Sequence, residues 1–182
     1  MKRIRKLTTA FLVIALLVTS LVSVPAFADE PEAVIPDIVR IAGDNRYLTA
    51  IEVSKEVYPT DETNKTTGAE AVIIASGEED HWADALAGSA LAALKTAPIL
   101  LAKKDMIHAE TLAEIARLFN KSAKSEVYIL GGKEAIGAGV AATLVDAGYT
   151  VKRIAGDNRY ETAALIAEVV GAGEETAPAY FL

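Results

Sequence analysis

Cysteine is absent from this 182-residue chain, and histidine occurs only twice, as His81 and His108. Without thiols there is no disulfide framework, zinc ribbon, cysteine nucleophile or thiolate-held cluster, and two histidines this far apart do not make a histidine-rich metal site. Any catalysis would rest on Ser, Asp, Glu, Lys or Tyr. Aromatic residues are scarce at 6%, and 18 Lys and Arg face 25 Asp and Glu. What remains, 52% hydrophobic and 24% charged, is the composition of a folded globular protein rather than of a disordered or collagen-like one.

Residues 1–28 stand apart. Lys2, Arg3, Arg5 and Lys6 precede a run from Leu7 to Val24 that is apolar except for Thr and Ser, and Ala26-Phe27-Ala28 is a small-x-small site before Asp29. That order predicts a cleaved secretory signal rather than a retained anchor. Without its four cations, 14 basic residues face 25 acidic ones, a formal charge of −11 on the mature chain. Acidity of that degree argues against nonspecific nucleic-acid binding and against a polybasic foot on a membrane.

Beyond a polar stub with Pro31 and Pro36, short apolar runs rich in β-branched residues alternate with stretches of helical periodicity. Strands are predicted at Ile38 to Ile41, Ala71 to Ala75, Pro98 to Leu101, Val127 to Leu130 and Thr150 to Ile154. Helices are predicted at about Arg46 to Tyr58, His81 to Lys95, His108 to Asn120 and Lys133 to Ala147. The strands do not alternate apolar with polar, as expected of strands buried on both faces, so the pattern predicts an α/β fold with a parallel, Rossmann-like sheet and helices on both faces.

The chain also repeats itself. At a shift of 113 residues, ten of the eleven positions from Arg40 to Ala50 are identical with those from Arg153 to Ala163; Leu48 against Glu161 is the exception. Past this point the copies diverge, and Tyr180-Phe181-Leu182 resembles the start of the strand that Val72-Ile73-Ile74 begins. The expected partition is a signal at 1–28, a linker and the start of the first strand at 29–39, a complete repeat at 40–152 and the start of a second, truncated repeat at 153–182, the whole being a fragment of a longer tandem-repeat polypeptide.

Several motifs occur in a characteristic order: Ala42-Gly43-Asp44-Asn45-Arg46-Tyr47 with Thr49-Ala50, Ala75-Ser76-Gly77 followed by Asp84-Ala85-Leu86-Ala87, Ala97-Pro98-Ile99-Leu100-Leu101, and Tyr128-Ile129-Leu130-Gly131-Gly132 with Ala135-Ile136. In these the chain resembles the cell-wall-binding repeat 2 family of secreted Gram-positive surface proteins, over roughly Arg40 to Leu182. The resemblance implies an α/β repeat, commonly in three tandem copies packed with pseudo-threefold symmetry, that holds an exoprotein non-covalently on anionic secondary polymers of the wall. It implies no enzymatic activity and no cofactor, with the wall polymer and neighbouring repeats of the same chain as partners.

The residues themselves nominate one edge. In a parallel sheet the loops leaving the carboxyl ends of the strands gather where the following helices point their N-termini, and Ala42 to Arg46, Ser76 to Asp84, Ala102 to His108 and Gly131 to Glu134 are all such loops. Unpaired amides at helix starts suit phosphate or carboxylate groups, and Arg46, Lys103, Lys104, Gly131, Gly132 and Lys133 are the candidate polymer contacts. Arg46, repeated as Arg159, sits unfavourably in a first helical turn; it either grips an anionic group or pairs internally with Asp84 or Asp44. Asp44 or Asn45, and Asp157 or Asn158, are expected as helix caps, and Asp84 as a dipole-compatible carboxylate. Trp82 and Tyr47 read as core or repeat-interface anchors rather than sugar platforms, and His81 as a polar loop residue. Glu78, Glu79 and Asp80 lack calcium-loop spacing, so no metal is expected.

Two other readings compete. An α/β hydrolase-type enzyme is disfavoured, because no G-x-G-x-x-G, Walker lysine or nucleophile elbow is present and no spacing demands a Ser76-His108-Asp84 triad. A pure repeat-assembly module, whose nominated edge is buried between repeats, is the second alternative.

Overall fold

The computed structural model describes residues 38–63, 67–120 and 125–171. The predicted signal and most of the linker, together with Tyr180-Phe181-Leu182, lie outside the described residues. Four parallel strands, β1 (Ala71–Ser76), β2 (Ile99–Ala102), β3 (Glu126–Leu130) and β4 (Thr150–Ile154), form a sheet in the order β2-β1-β3-β4. The helices are α1 (Arg46–Val57), α2 (Trp82–Leu94, entered through a 3-10 turn at Glu79–His81), α3 (Ala109–Leu118), α4 (Ala138–Asp146) and α5 (Arg159–Val170).

Alternation along the strands divides the core in two. Val72, Ile74, Leu100, Val127 and Ile129 face the layer of α1, α3 and α4, where Ile51, Ile115 and Leu144 meet them. Ala71, Ile73, Tyr128, Leu130 and Ile154 face α2 and α5, which contribute Leu91 and Ile166. All six residues of β1 are buried, as its unbroken apolar run predicts for a central parallel strand.

A buried polar cluster fastens α1 to α3. Glu114, 3% exposed, accepts two hydrogen bonds from Arg117, both at 2.7 Å, and one from the Ser54 hydroxyl at 2.5 Å. The Arg117 guanidinium also donates to the Tyr58 carbonyl and the Thr60 hydroxyl. The end of α1 is thereby tied down by charge-assisted bonds.

The structure departs from the sequence reading in three places. β4, at the edge of the sheet, is not buried on both faces: Thr150 and Lys152 are exposed and only Ile154 is buried. Ile38 to Ile41 forms no strand, and Ile38 is 92% exposed. The aligned residues of the second copy, Val151 to Ile154, lie in β4 because β3 offers them an edge, whereas Ile38 to Ile41 pairs with no strand among the described residues. The helix expected from Lys133 begins at Ala138: the Ala135 and Ile136 amides turn back onto the Gly132 carbonyl, and the Gly137 amide is taken by the Lys104 carbonyl at 2.7 Å.

Candidate functional site

The repeated signature builds the same turn twice. Asn45 is in extended conformation, and its side chain accepts from the Tyr47 and Leu48 amides, both at 3.0 Å; Asn158 does the same for Tyr160 and Glu161, at 2.9 and 3.0 Å. The Thr49 hydroxyl accepts from the Gly43 amide at 3.0 Å and Thr162 from Gly156 at 3.1 Å. A Cβ at Gly43 would stand 2.6 Å from the Leu48 backbone, so only glycine fits there. The most recognisable part of the sequence is thus a capped helix start. Asn45 and Asn158 do the capping; Asp44 and Asp157 are exposed beside them.

Beyond the carboxyl ends of the strands, the β1–α2, β3–α4 and β4–α5 loops enclose a cleft of about 370 Å³, lined among others by His81, Asp84, Lys133, Asp157 and Arg159. Its position follows from topology. The connection from β1 runs out to β2 on one side and that from β3 to β4 on the other, which leaves a crevice between them at the switch of direction. On the other side of the β1–α2 loop, Arg46, Ser76, Gly77, Glu79, Trp82 and Leu101 border a second cleft of about 330 Å³.

Asp84 sits at the floor of the first cleft. It is 8% exposed and lies against Gly131, whose φ of 90° belongs to the left-handed region and where a Cβ would collide with the Asp84 carboxylate. Burial pushes the Asp84 carboxyl above its ordinary range, opposed by His81 and by Arg159. The wall beside it is held by Arg153, which donates to the Gly131 carbonyl at 2.7 Å and to Gly132 at 3.2 Å.

The six candidate contacts are dispersed. Gly132 and Lys133 line the first cleft, and Lys133 forms no ion pair among the described residues. Gly131 is buried beneath them. Lys104 pairs with Glu134 at 2.6 Å, which raises the lysine's pKa and lowers the glutamate's through one shared hydrogen bond. Lys103 is exposed, and its amide donates to the Met106 carbonyl. Arg46 lines the second cleft and donates to the Gly77 carbonyl at 2.7 Å, with Glu79 at 3.7 Å. Neither Asp84 nor Asp44 is its bonded partner; the arginine whose charge acts on Asp84 is the repeated one, Arg159.

Two further expectations change. Of the two packing roles expected for Trp82, the core one does not hold, because it is 57% exposed on the rim of the second cleft. Tyr47 does pack, its ring 4.7 Å from that of His108. Unpaired amides are also fewer than expected, because α1 and α5 are capped by their asparagines, whereas α2, α3 and α4 carry no side-chain cap. Of these three, the start of α2 borders the first cleft. Sequence reasoning passed over Asn158 and Thr162 as cleft residues; their place beside Arg159 at the start of a repeated helix was the available signal.

Comparison with known proteins shows the family and the fold. The model of the family described as Cell wall binding domain 2 (CWB2) matches residues 40–141. N-acetylmuramoyl-L-alanine amidase LytC of Bacillus subtilis (strain 168) is 35% identical over 169 residues, 93% of this chain and 29% of that protein. Among solved structures, Cwp8 from Clostridium difficile is 37% identical over 70% of this chain with a TM-score of 0.62, and Cwp6 from the same organism 32% identical over 78% with 0.60. The chain spans 20% of Cwp8 and 22% of Cwp6, so it corresponds to less than a third of each of these relatives.

Proposed function

The chain belongs to the Cell wall binding domain 2 family, and from that premise we propose that it is a non-catalytic anchor that holds a secreted protein on an anionic secondary polymer of the cell wall. The observation that carries the reading is the 370 Å³ cleft, in which Lys133 and the uncapped start of α2 share one opening with buried Asp84.

The chemistry of the cleft selects the ligand. Lys133 and Arg159 stand among Asp80, Asp84, Glu134 and Asp157, so a densely charged polyanion entering end-on would meet more repulsion than attraction. A sugar chain with spaced phosphate or carboxylate groups fits better. Its hydroxyls donate to Asp84 and Asp157 while an anionic group takes Lys133. At physiological salt, screening over about 8 Å hides the remote acidic surface from such a contact. On the neighbouring rim, exposed Trp82 offers an aromatic face to a sugar ring.

Sedimentation with purified walls tests this. The chain from Asp29 onward should pellet with intact walls and not with walls stripped chemically of their anionic polymer. Lys133→Glu should lower the affinity about tenfold or more, the worth of one charge-assisted hydrogen bond replaced by repulsion. Undiminished binding to stripped walls would exclude polymer anchoring, and an unchanged Lys133→Glu variant would remove this cleft from the interaction.

A further inference from the structure

The turn that carries Lys133 is held by the second copy of the signature. Gly131, just past the end of β3, is fixed at both of its backbone polar groups by consecutive residues of β4: its amide donates to the Ile154 carbonyl at 2.9 Å, and its carbonyl accepts from the Arg153 guanidinium at 2.7 Å. The same guanidinium reaches the Gly132 carbonyl at 3.2 Å. That carbonyl also accepts from the Ala135 and Ile136 amides at 3.1 and 3.0 Å, which closes the turn around Lys133 and Glu134. Arg153 and Ile154 open the second signature, whose Asp157 and Arg159 line the same cleft.

In the first copy the same two residues do none of this. Arg40 and Ile41 are exposed, and Arg40 forms no hydrogen bond or ion pair among the described residues, whereas Arg153 is half-buried and Ile154 is buried. A planar guanidinium fork is suited to two successive carbonyls, and Gly131 is buried, so loss of Arg153 would leave a buried carbonyl without that donor. Gly131, Gly132 and Lys133 lie within the residues that the family model matches, 40–141, and the whole second signature lies beyond them.

We infer that the first cleft is a composite site completed by the second signature: residues 40–141 supply its floor, Asp84, and its cation, Lys133, and Arg153 is the positioning residue that sets the turn carrying Lys133. The signature therefore has two uses. Its glycine, asparagine and threonine start a helix, and the arginine at its first position braces the glycine turn of the β3–α4 loop that precedes it in the chain. Residues 40–141 alone contain the floor of the cleft without its brace. A contact made by Lys133 then depends on a residue that touches no ligand. What the cleft holds rests on the polymer-binding reading above; the brace does not.

The test uses the chain from Asp29 onward. Arg153→Ala should speed hydrogen exchange of the Gly131, Ala135 and Ile136 amides at least about tenfold while β1 keeps its protection, and Arg40→Ala, the same residue of the first signature, should leave both as they are. In sedimentation with purified walls, Arg153→Ala should weaken binding about fivefold or more, and Lys133→Ala should cost about threefold less in that background than in the original chain, because a displaced lysine has less to lose. Losses that simply multiply would reduce Arg153 to general stability and overturn the inference, as would unchanged exchange of the three amides. If Lys133→Ala binds like the original chain, the polymer reading of the cleft fails and the exchange measurement decides the brace by itself. Should Arg153→Ala not fold, Arg153→Met keeps the buried stem and removes the donors, with the same results expected and the same results overturning.

Discussion

The two copies of the signature share the asparagine cap and the threonine return of the turn and differ in what the following helix packs on. Asparagine caps, threonine returns and the glycine that admits them are superimposable in chemistry, yet one helix is secured by the buried Glu114, Arg117 and Ser54 cluster and the other by the apolar contact of Ile166 with the α2 layer. Short-range sequence determines where such a helix starts, and tertiary surroundings determine which side it buries. A repeat therefore identifies an element without identifying its neighbours.

The largest way to break the symmetry of this comparison is at the polar cluster. Arg117→Ala leaves Glu114 charged and buried without its bidentate partner, which should cost about 3–5 kcal/mol. Chemical denaturation should show that loss, and native-state hydrogen exchange should show α1 and α3 opening while α5 keeps its protection. Equal loss of protection in both copies would mean that the two helices are secured through one cooperative unit.

The caps sharpen the same comparison from the side of likeness. Asn45→Ala and Asn158→Ala each remove two accepted amide bonds of nearly equal length, and each should destabilise by about 1 kcal/mol. Because α1 is held at its far end by Arg117 through the Tyr58 carbonyl, its cap variant should lower global stability, whereas Asn158→Ala should surface first as local fraying of α5. Thermal melts read with hydrogen exchange separate the two.

How far the sequence reached follows the same division. Strands whose apolar runs are buried on both faces, such as Ala71 to Ala75 and Val127 to Leu130, were legible because their pattern is local, and the carboxyl-end rim followed from parallel topology. Ile38 to Ile41 was misread because a strand needs an edge to pair with, and no local pattern reports one. The late start of α4 is decided by the Lys104 carbonyl, which reaches Gly137 from a loop more than thirty residues earlier. Glu114 and Arg117 look in sequence like an ordinary surface pair three residues apart, and only the arrival of Ser54 from α1 makes them a buried cluster. In the site, Lys133 and Asp84 could be placed on one rim, but the exchange of roles between Arg46 and Arg159 could not, since identical residues in identical turns face different loops.

That exchange gives the smallest of the expected effects. The Asp84 carboxyl is raised in the folded state by burial, so the native protein holds its proton more tightly than the unfolded chain does. Asp84 therefore disfavours folding when charged, and stability is recovered as the pH falls through its folded-state titration. Arg159 works against this by favouring the carboxylate, but it is exposed and solvent screens it. Arg159→Gln should consequently move the Asp84 titration slightly upward, followed by carboxyl-carbon NMR, and should lower stability only above that titration. Arg46→Gln, whose guanidinium is bonded to the Gly77 carbonyl, should leave the Asp84 titration where it is. If both substitutions shifted it alike, the two arginines would share one electrostatic environment, and the contrast between the copies would end at the helices rather than extend to the cleft.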